Sequence, residues 1–182
     1  TTYVFASQRR WAGKLEWMES RAAEGVWADV VAIDGDDLVH ALDRYASVAH
    51  WLSERLGRRP AGLRSLSDVW AEWALATRRP LTSDLILEGR ADQASAVMKW
   101  LREPASVLPV QAESREEALA FLHAAISELP LARADEELSR ALAPAEADVA
   151  RMVGDSLEGA ILALADPDPG LARSLAEKGH HV

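Results

Sequence analysis

The chain has 182 residues, 49% of them hydrophobic and 27% charged, and contains no cysteine. A chain of this size buries about 70% of its unfolded surface without a disulfide or metal. The composition excludes a fibrous repeat, a disordered polymer and thiolate chemistry of any kind. The formal net charge of −9 is unevenly held: residues 1–103 carry 14 basic and 15 acidic side chains, and residues 104–182 carry 6 and 14. The acidic second half is a poor match for a phosphate backbone, which demands clustered cations. All seven tryptophans lie in the first half. No apolar run approaches the ~20 residues of a membrane span, and no basic-then-apolar leader is present. These features predict a cytoplasmic protein with no membrane partner.

Thr2–Ser7 is a β-branched and aromatic run that predicts a strand. Trp11, Leu15, Met18 and Ala22 then recur on one helical face. Gly25 falls where that helix would end. Val26–Ile33 reads as a second strand, followed at once by Asp34, Asp36 and Asp37, which suit the positive start of the next helix. Leu38, Leu42, Tyr45, Val48, Leu52 and Leu56 continue a helical stripe with a break near Ala46-Ser47. Leu66–Ala76 is a further helix capped by Ser65 or Ser67, and 89–102 another that stops before Pro104.

In the second half, Ser106–Val110 is a strand candidate weakened by Pro109, which cannot donate to a central ladder. Ser114-Arg115-Glu116-Glu117 matches a capping box that opens a helix running to Leu129. Ala134–Leu142 reads as an acidic helix, and Pro144 as the first-turn proline of Ala145–Val153. Gly159–Ala165 is the clearest buried strand of this half. Asp166-Pro167-Asp168-Pro169-Gly170 turns into a last helix, and His180-His181 reads as a turn leading into a strand. Strands alternating with helices predict an α/β fold: a short, mostly parallel sheet with helices on both faces, in two lobes. The expected lobes are 1–79, basic and tryptophan-rich, and 80–182, acidic.

Few chemistries survive a search of the chain. A phosphate-cradling loop needs glycines and a lysine, and Val107–Ser114 has neither. No pair of histidines has metal-ligand spacing on one helix, and no serine sits on a glycine elbow. Asp34, Asp36 and Asp37, with Lys14, are the candidate catalytic set: carboxylates at a strand end could hold a magnesium ion for phosphodiester hydrolysis. No strand carries the Glu-x-Lys that would complete such a centre, so helix capping is the better reading of these aspartates. Arg9, Arg10, Lys14, Arg58 and Arg59 are the candidate nucleic-acid contacts. Fifteen acids balance the cations of this half.

Several stretches carry a resemblance. They are Tyr3–Lys14 (YVFASQRRWAGK), Trp27–Leu38 (WADVVAIDGDDL), Val48–Gly57 (VAHWLSERLG), Leu87-Glu88-Gly89-Arg90, and Val107–Ala125. Together they resemble large bacterial proteins in which a restriction-endonuclease-like part precedes a region related to signal-transducing NTPases. The resemblance covers about two-thirds of the chain. It implies that 1–79 is an incomplete nuclease-like core and that 80–182 is P-loop-like but without the phosphate loop. The family's nuclease residues would lie upstream of Thr1, so none transfers to this chain.

The expected function is a non-catalytic regulatory or connecting module of a defence-like, DNA-associated bacterial protein. Its partners would be other domains of a larger chain or a separate protein, with DNA as a further partner, and no cofactor is expected. The alternatives are a magnesium-dependent phosphodiesterase built on Asp34, Asp36, Asp37 and Lys14, and direct DNA binding through the arginines.

Overall fold

The computed structural model describes residues 1–58, 61–76 and 78–182. The fold is α/β, with ten helices and four short strands among the described residues. The chain forms two compact units, Thr1–Asp43 and Arg44–Val182.

In the first unit, β1 (Thr2–Ala6) is followed by α1 (Lys14–Ala23), β2 (Asp29–Ile33) and α2, which begins at Gly35 and runs to Arg44. β1 and β2 pair in parallel, with Tyr3 opposite Val30 and Phe5 opposite Ala32. Alternate residues of a strand share a face. Tyr3 and Phe5 therefore project together, and they meet Trp17 at ring-centroid distances of 6.1 and 5.5 Å. Trp27 lies 5.2 Å from Tyr3, and Trp11 lies 5.6 Å from Phe5 and 5.1 Å from Trp17. These tilted rings stand in for an aliphatic core, at the separations that aromatic pairs prefer.

The ring ladder also corrects the expected helical face. Trp11 precedes α1, and Leu15 is 67% exposed. Met18 keeps its inward place while Ala22 is exposed like Leu15, and Lys14 and Trp17 turn inward beside Met18, because Trp17 completes the ladder.

The second unit runs through α3 (Ala46–Arg55), α4 (Leu66–Leu75), α5 (Ser83–Leu87), α6 (Ala91–Trp100), α7 (Arg115–Ser127) and α8 (Leu131–Leu138). It continues with β3 (Ala141–Leu142), α9 (Ala147–Ser156), β4 (Ile161–Leu162) and α10 (Pro169–Glu177). The break expected near Ala46 lies at Tyr45, whose φ of −109° and ψ of 76° leave the helical region. α7 is the central element: every residue from Leu119 to Ile126 is buried. Around it Leu66, Val97, Ile126 and Ile161 share one core, and Leu63, Leu142, Leu162 and Leu175 share another.

Because α4 contributes Leu66 and Val69 to the core of α7, the expected boundary at residues 79–80 is not where the chain divides; compactness breaks after Asp43. Residues 141–142, expected as the end of a helix, form β3. The helix there stops at Leu138, and buried Glu137 binds Arg140 beyond it (Nε to Oε2, 2.7 Å). Pro144 lies before α9 and not in its first turn.

β3 and β4 pair in parallel, and backbone bonds extend the ladder on both sides. Ile161 bridges His181 in parallel. Leu108 N–H donates to Val182 O (2.8 Å), and Val182 N–H donates to Ser106 O (3.1 Å). The parallel segments thus lie in the order 106–108, 181–182, 161–162, 141–142. Ser65 bridges Leu142 antiparallel on the far edge. Within the expected Ser106–Val110 strand the two bonds to Val182 bracket Val107 alone, so the segment forms no strand.

His180 is buried with both ring nitrogens satisfied. Nδ1 accepts from Ala160 N–H (3.1 Å), so Nε2 donates to Gly154 O (3.0 Å). Gly154 leaves room there: a Cβ would lie 2.3 Å from Leu175 Cδ2, and that buried side chain would have to shift. No helix among the described residues is long and apolar enough to cross a membrane.

Candidate functional site

The parallel pairing of β1 and β2 carries both strands to the same end of the first unit. There the residue after β2, Asp34, meets the loop after β1. Asp34 is buried, and its carboxylate is surrounded by donors. Oδ2 accepts from Trp11 N–H (3.0 Å); Oδ1 accepts from Lys14 Nζ (3.1 Å) and from Asp37 N–H (3.2 Å). Asp37 returns the bond, its Oδ2 accepting from Asp34 N–H (2.9 Å). This is a reciprocal capping box at the start of α2, with the aspartates in the role expected of them.

Lys14 Nζ also bonds Asp37, and Arg10 grips Asp36 with two nitrogens, at 2.7 and 3.1 Å. Gly35 makes the corner possible: a Cβ there would lie 2.7 Å from Gln8 O.

The electrostatics follow from these contacts. The Trp11 amide, the Asp37 amide and Lys14 hold the Asp34 carboxyl well below the ordinary carboxylate range. Lys14 is raised by its bond to Asp37, and Arg10 by its bond to Asp36. The four candidate catalytic residues therefore come together, as a closed ion-paired corner. Among the described residues no three histidine or acidic side chains stand close enough to share a metal ion.

The candidate nucleic-acid residues are not equivalent. Arg10 and Lys14 are neutralised by the aspartates. Arg9 is exposed; its backbone amide donates to Ser7 Oγ at 3.3 Å and its carbonyl accepts from Gly35 N–H at 3.2 Å. Arg58 is exposed in the second unit. Arg59 lies outside the described residues.

Sequence reasoning missed a second feature, in the second unit. Two cavities, of about 530 and 580 Å³, flank residues 108–113. Beside them Glu117 accepts from Arg90 Nη2 at 2.6 Å through Oε1 and from Glu113 N–H at 3.2 Å through Oε2, while its own amide donates to Ser114 Oγ at 3.1 Å. The Arg90 bond, aided by the Glu113 amide, lowers the Glu117 carboxyl below its usual range. The capping-box pattern was the available signal. It marked Glu117 as a side chain reaching backward, though toward Ser114 N–H rather than Glu113.

Comparison with protein-family models, with curated proteins and with solved structures finds no match to the chain.

Proposed function

We propose that this chain is a non-catalytic regulatory or connecting module of a larger, DNA-associated, defence-like bacterial protein acting in the cytoplasm. In this reading it has two lobes with helices on both faces of its short sheets, and it works through packed surfaces and not through a reaction. One observation carries the proposal: both oxygens of Asp34 are spent on Trp11, Lys14 and Asp37. A carboxylate with three of its roughly four acceptor sites taken by the protein has little left for a metal or a substrate proton. The second unit supports it too, since a strand-to-helix turn without glycine or lysine, and bearing Glu113 and Glu116, repels a polyphosphate.

The close approach of Lys14 to Asp34 and Asp37 favours one other reading, a magnesium-dependent phosphodiesterase. Incubation with supercoiled plasmid and with single- and double-stranded oligonucleotides in the presence of magnesium decides between them. The module reading expects no cleavage. Cleavage that is lost in Asp36→Ala would overturn it. Direct DNA binding through Arg9, Arg10 and Arg58 would show as salt-sensitive affinity that falls in the triple alanine variant. The ion pairs at Arg10 and Lys14 argue for no such dependence.

A further inference from the structure

We infer that Pro109–Glu113 is a strap, latched by Arg90 and Glu117, whose lifting joins the two flanking cavities into one ligand-sized cleft. The inference stands apart from the module reading and would survive its failure. It begins with what the cavities share. Leu108, Pro109, Val110, Ala112 and Glu113 line both, so this stretch of backbone is the wall between them. Ala118 lines both as well, on the first turns of α7. On one side the hollow reaches Val97 and Phe121; on the other it reaches Leu122, Ile161 and Leu164. Each volume alone lies in the range of small-molecule sites. The second opens where β4 ends, at the carboxyl ends of the parallel segments, the usual location for ligands in open α/β sheets.

The strap is held at its ends and not along its length. Upstream, Leu108 N–H is fixed to Val182 O at 2.8 Å. Downstream, Glu113 N–H is fixed to Glu117 Oε2 at 3.2 Å, and Ser114 caps α7. Between these anchors, no backbone group of Pro109, Val110, Gln111 or Ala112 bonds to any described residue. All four are exposed. A segment with few buried contacts and few backbone bonds opens at a small fraction of the cost of global unfolding.

Ahead of the Ser114 cap, the downstream hold on the strap is one carboxylate. Arg90, at the start of α6, orients Glu117 through the 2.6 Å ion pair, and Glu117 in turn holds the Glu113 amide. Breaking either contact loosens the hold on the Glu113 amide, while the Ser114 cap and the buried face of α7 stay in place.

The absence of cysteine gives a direct test. Ala118→Cys places a single thiol beneath the strap. Ala125→Cys places one on the same helix at a fully buried position and reports general loosening. Reaction of each with a bulky maleimide is followed in three backgrounds: otherwise unchanged, Glu117→Ala, and Arg90→Ala. The expected result is that both latch variants speed labelling at position 118 by about tenfold or more, with no matching change at 125. Unchanged labelling at 118 in both variants overturns the inference. If Glu117→Ala accelerates both positions equally, Arg90→Ala, which leaves α7 intact, decides. Acceleration confined to 118 sustains the strap, and any other result removes it.

Discussion

Acidification from about pH 7.5 to about pH 5 is expected to weaken the second unit through two buried imidazoles. His123 is stacked on Trp70, with ring centroids 4.9 Å apart and planes 5° from parallel. His181 meets the face of Trp100 edge-on at 4.7 Å. Burial lowers both from 6.5 to about 4, and Arg140 adds to the effect at His181. The sign follows from which state takes up the proton. Below about pH 6.5 the unfolded chain binds protons that the folded chain refuses, so stability is full above that pH and falls until the folded groups titrate near pH 4. Each histidine then costs about 2 kcal/mol at pH 5 and about 3 kcal/mol at pH 4. The pair removes about 4 kcal/mol at pH 5 from a total stability of about 5–15 kcal/mol for a typical domain.

Urea unfolding followed by circular dichroism, repeated across this range, measures the loss. His123→Phe keeps a ring against Trp70 and removes one titrating group, so its pH dependence is expected to fall by about half. Equal stability at both pH values, or an undiminished dependence in His123→Phe, would refute the reasoning.

Gly154→Ala is expected to destabilise by about 1–3 kcal/mol, read as a lower urea midpoint, because the new methyl enters the space of Leu175 beside the His180 ring. Glu137→Ala removes the carboxylate that receives Arg140 (2.7 Å) and Arg133 (2.5 Å) and leaves the largely covered Arg140 unpaired; a loss of about 3–5 kcal/mol is expected in the same assay. Gly35→Ala drives a methyl into the carbonyl of Gln8 and is expected to lower the melting temperature and disorder the Trp11 corner, seen as a red shift of tryptophan emission.

Much of the local structure is legible from the chain. Runs such as Thr2–Ser7 and Val26–Ile33 name their strands, and Ser114 names a helix start that the structure realises with a side-chain cap; of Ser65 and Ser67 the structure uses Ser65, and Asp168, read only as part of a turn, caps the last helix. The cap signals span three or four residues, and one or two hydrogen bonds satisfy each. Ala141–Leu142 was not legible: two apolar residues that favour helices fit a helix as well as a strand, and only pairing with Ile161–Leu162, some twenty residues on, decides.

The face of α1 was misread for a similar reason. A helical repeat gives spacing, but the ring ladder of Tyr3, Phe5 and Trp17 sets the rotation. At the candidate site, the residue types at Lys14, Asp34 and Asp37 were visible, while their mutual neutralisation depends on the parallel register that brings residues 14 and 34 together. The Arg90–Glu117 contact, 27 residues apart in sequence, left no pattern at all.

The acidic corner of the first unit is consumed in folding. Melting temperatures of the wild-type chain and of Asp34→Asn, each with and without magnesium, test it most directly. A lower melting temperature is expected for Asp34→Asn, with no magnesium-dependent rise in the wild type. A magnesium-dependent rise in the wild type that disappears in Asp34→Asn would mean that the carboxylates bind the ion, and would contradict it.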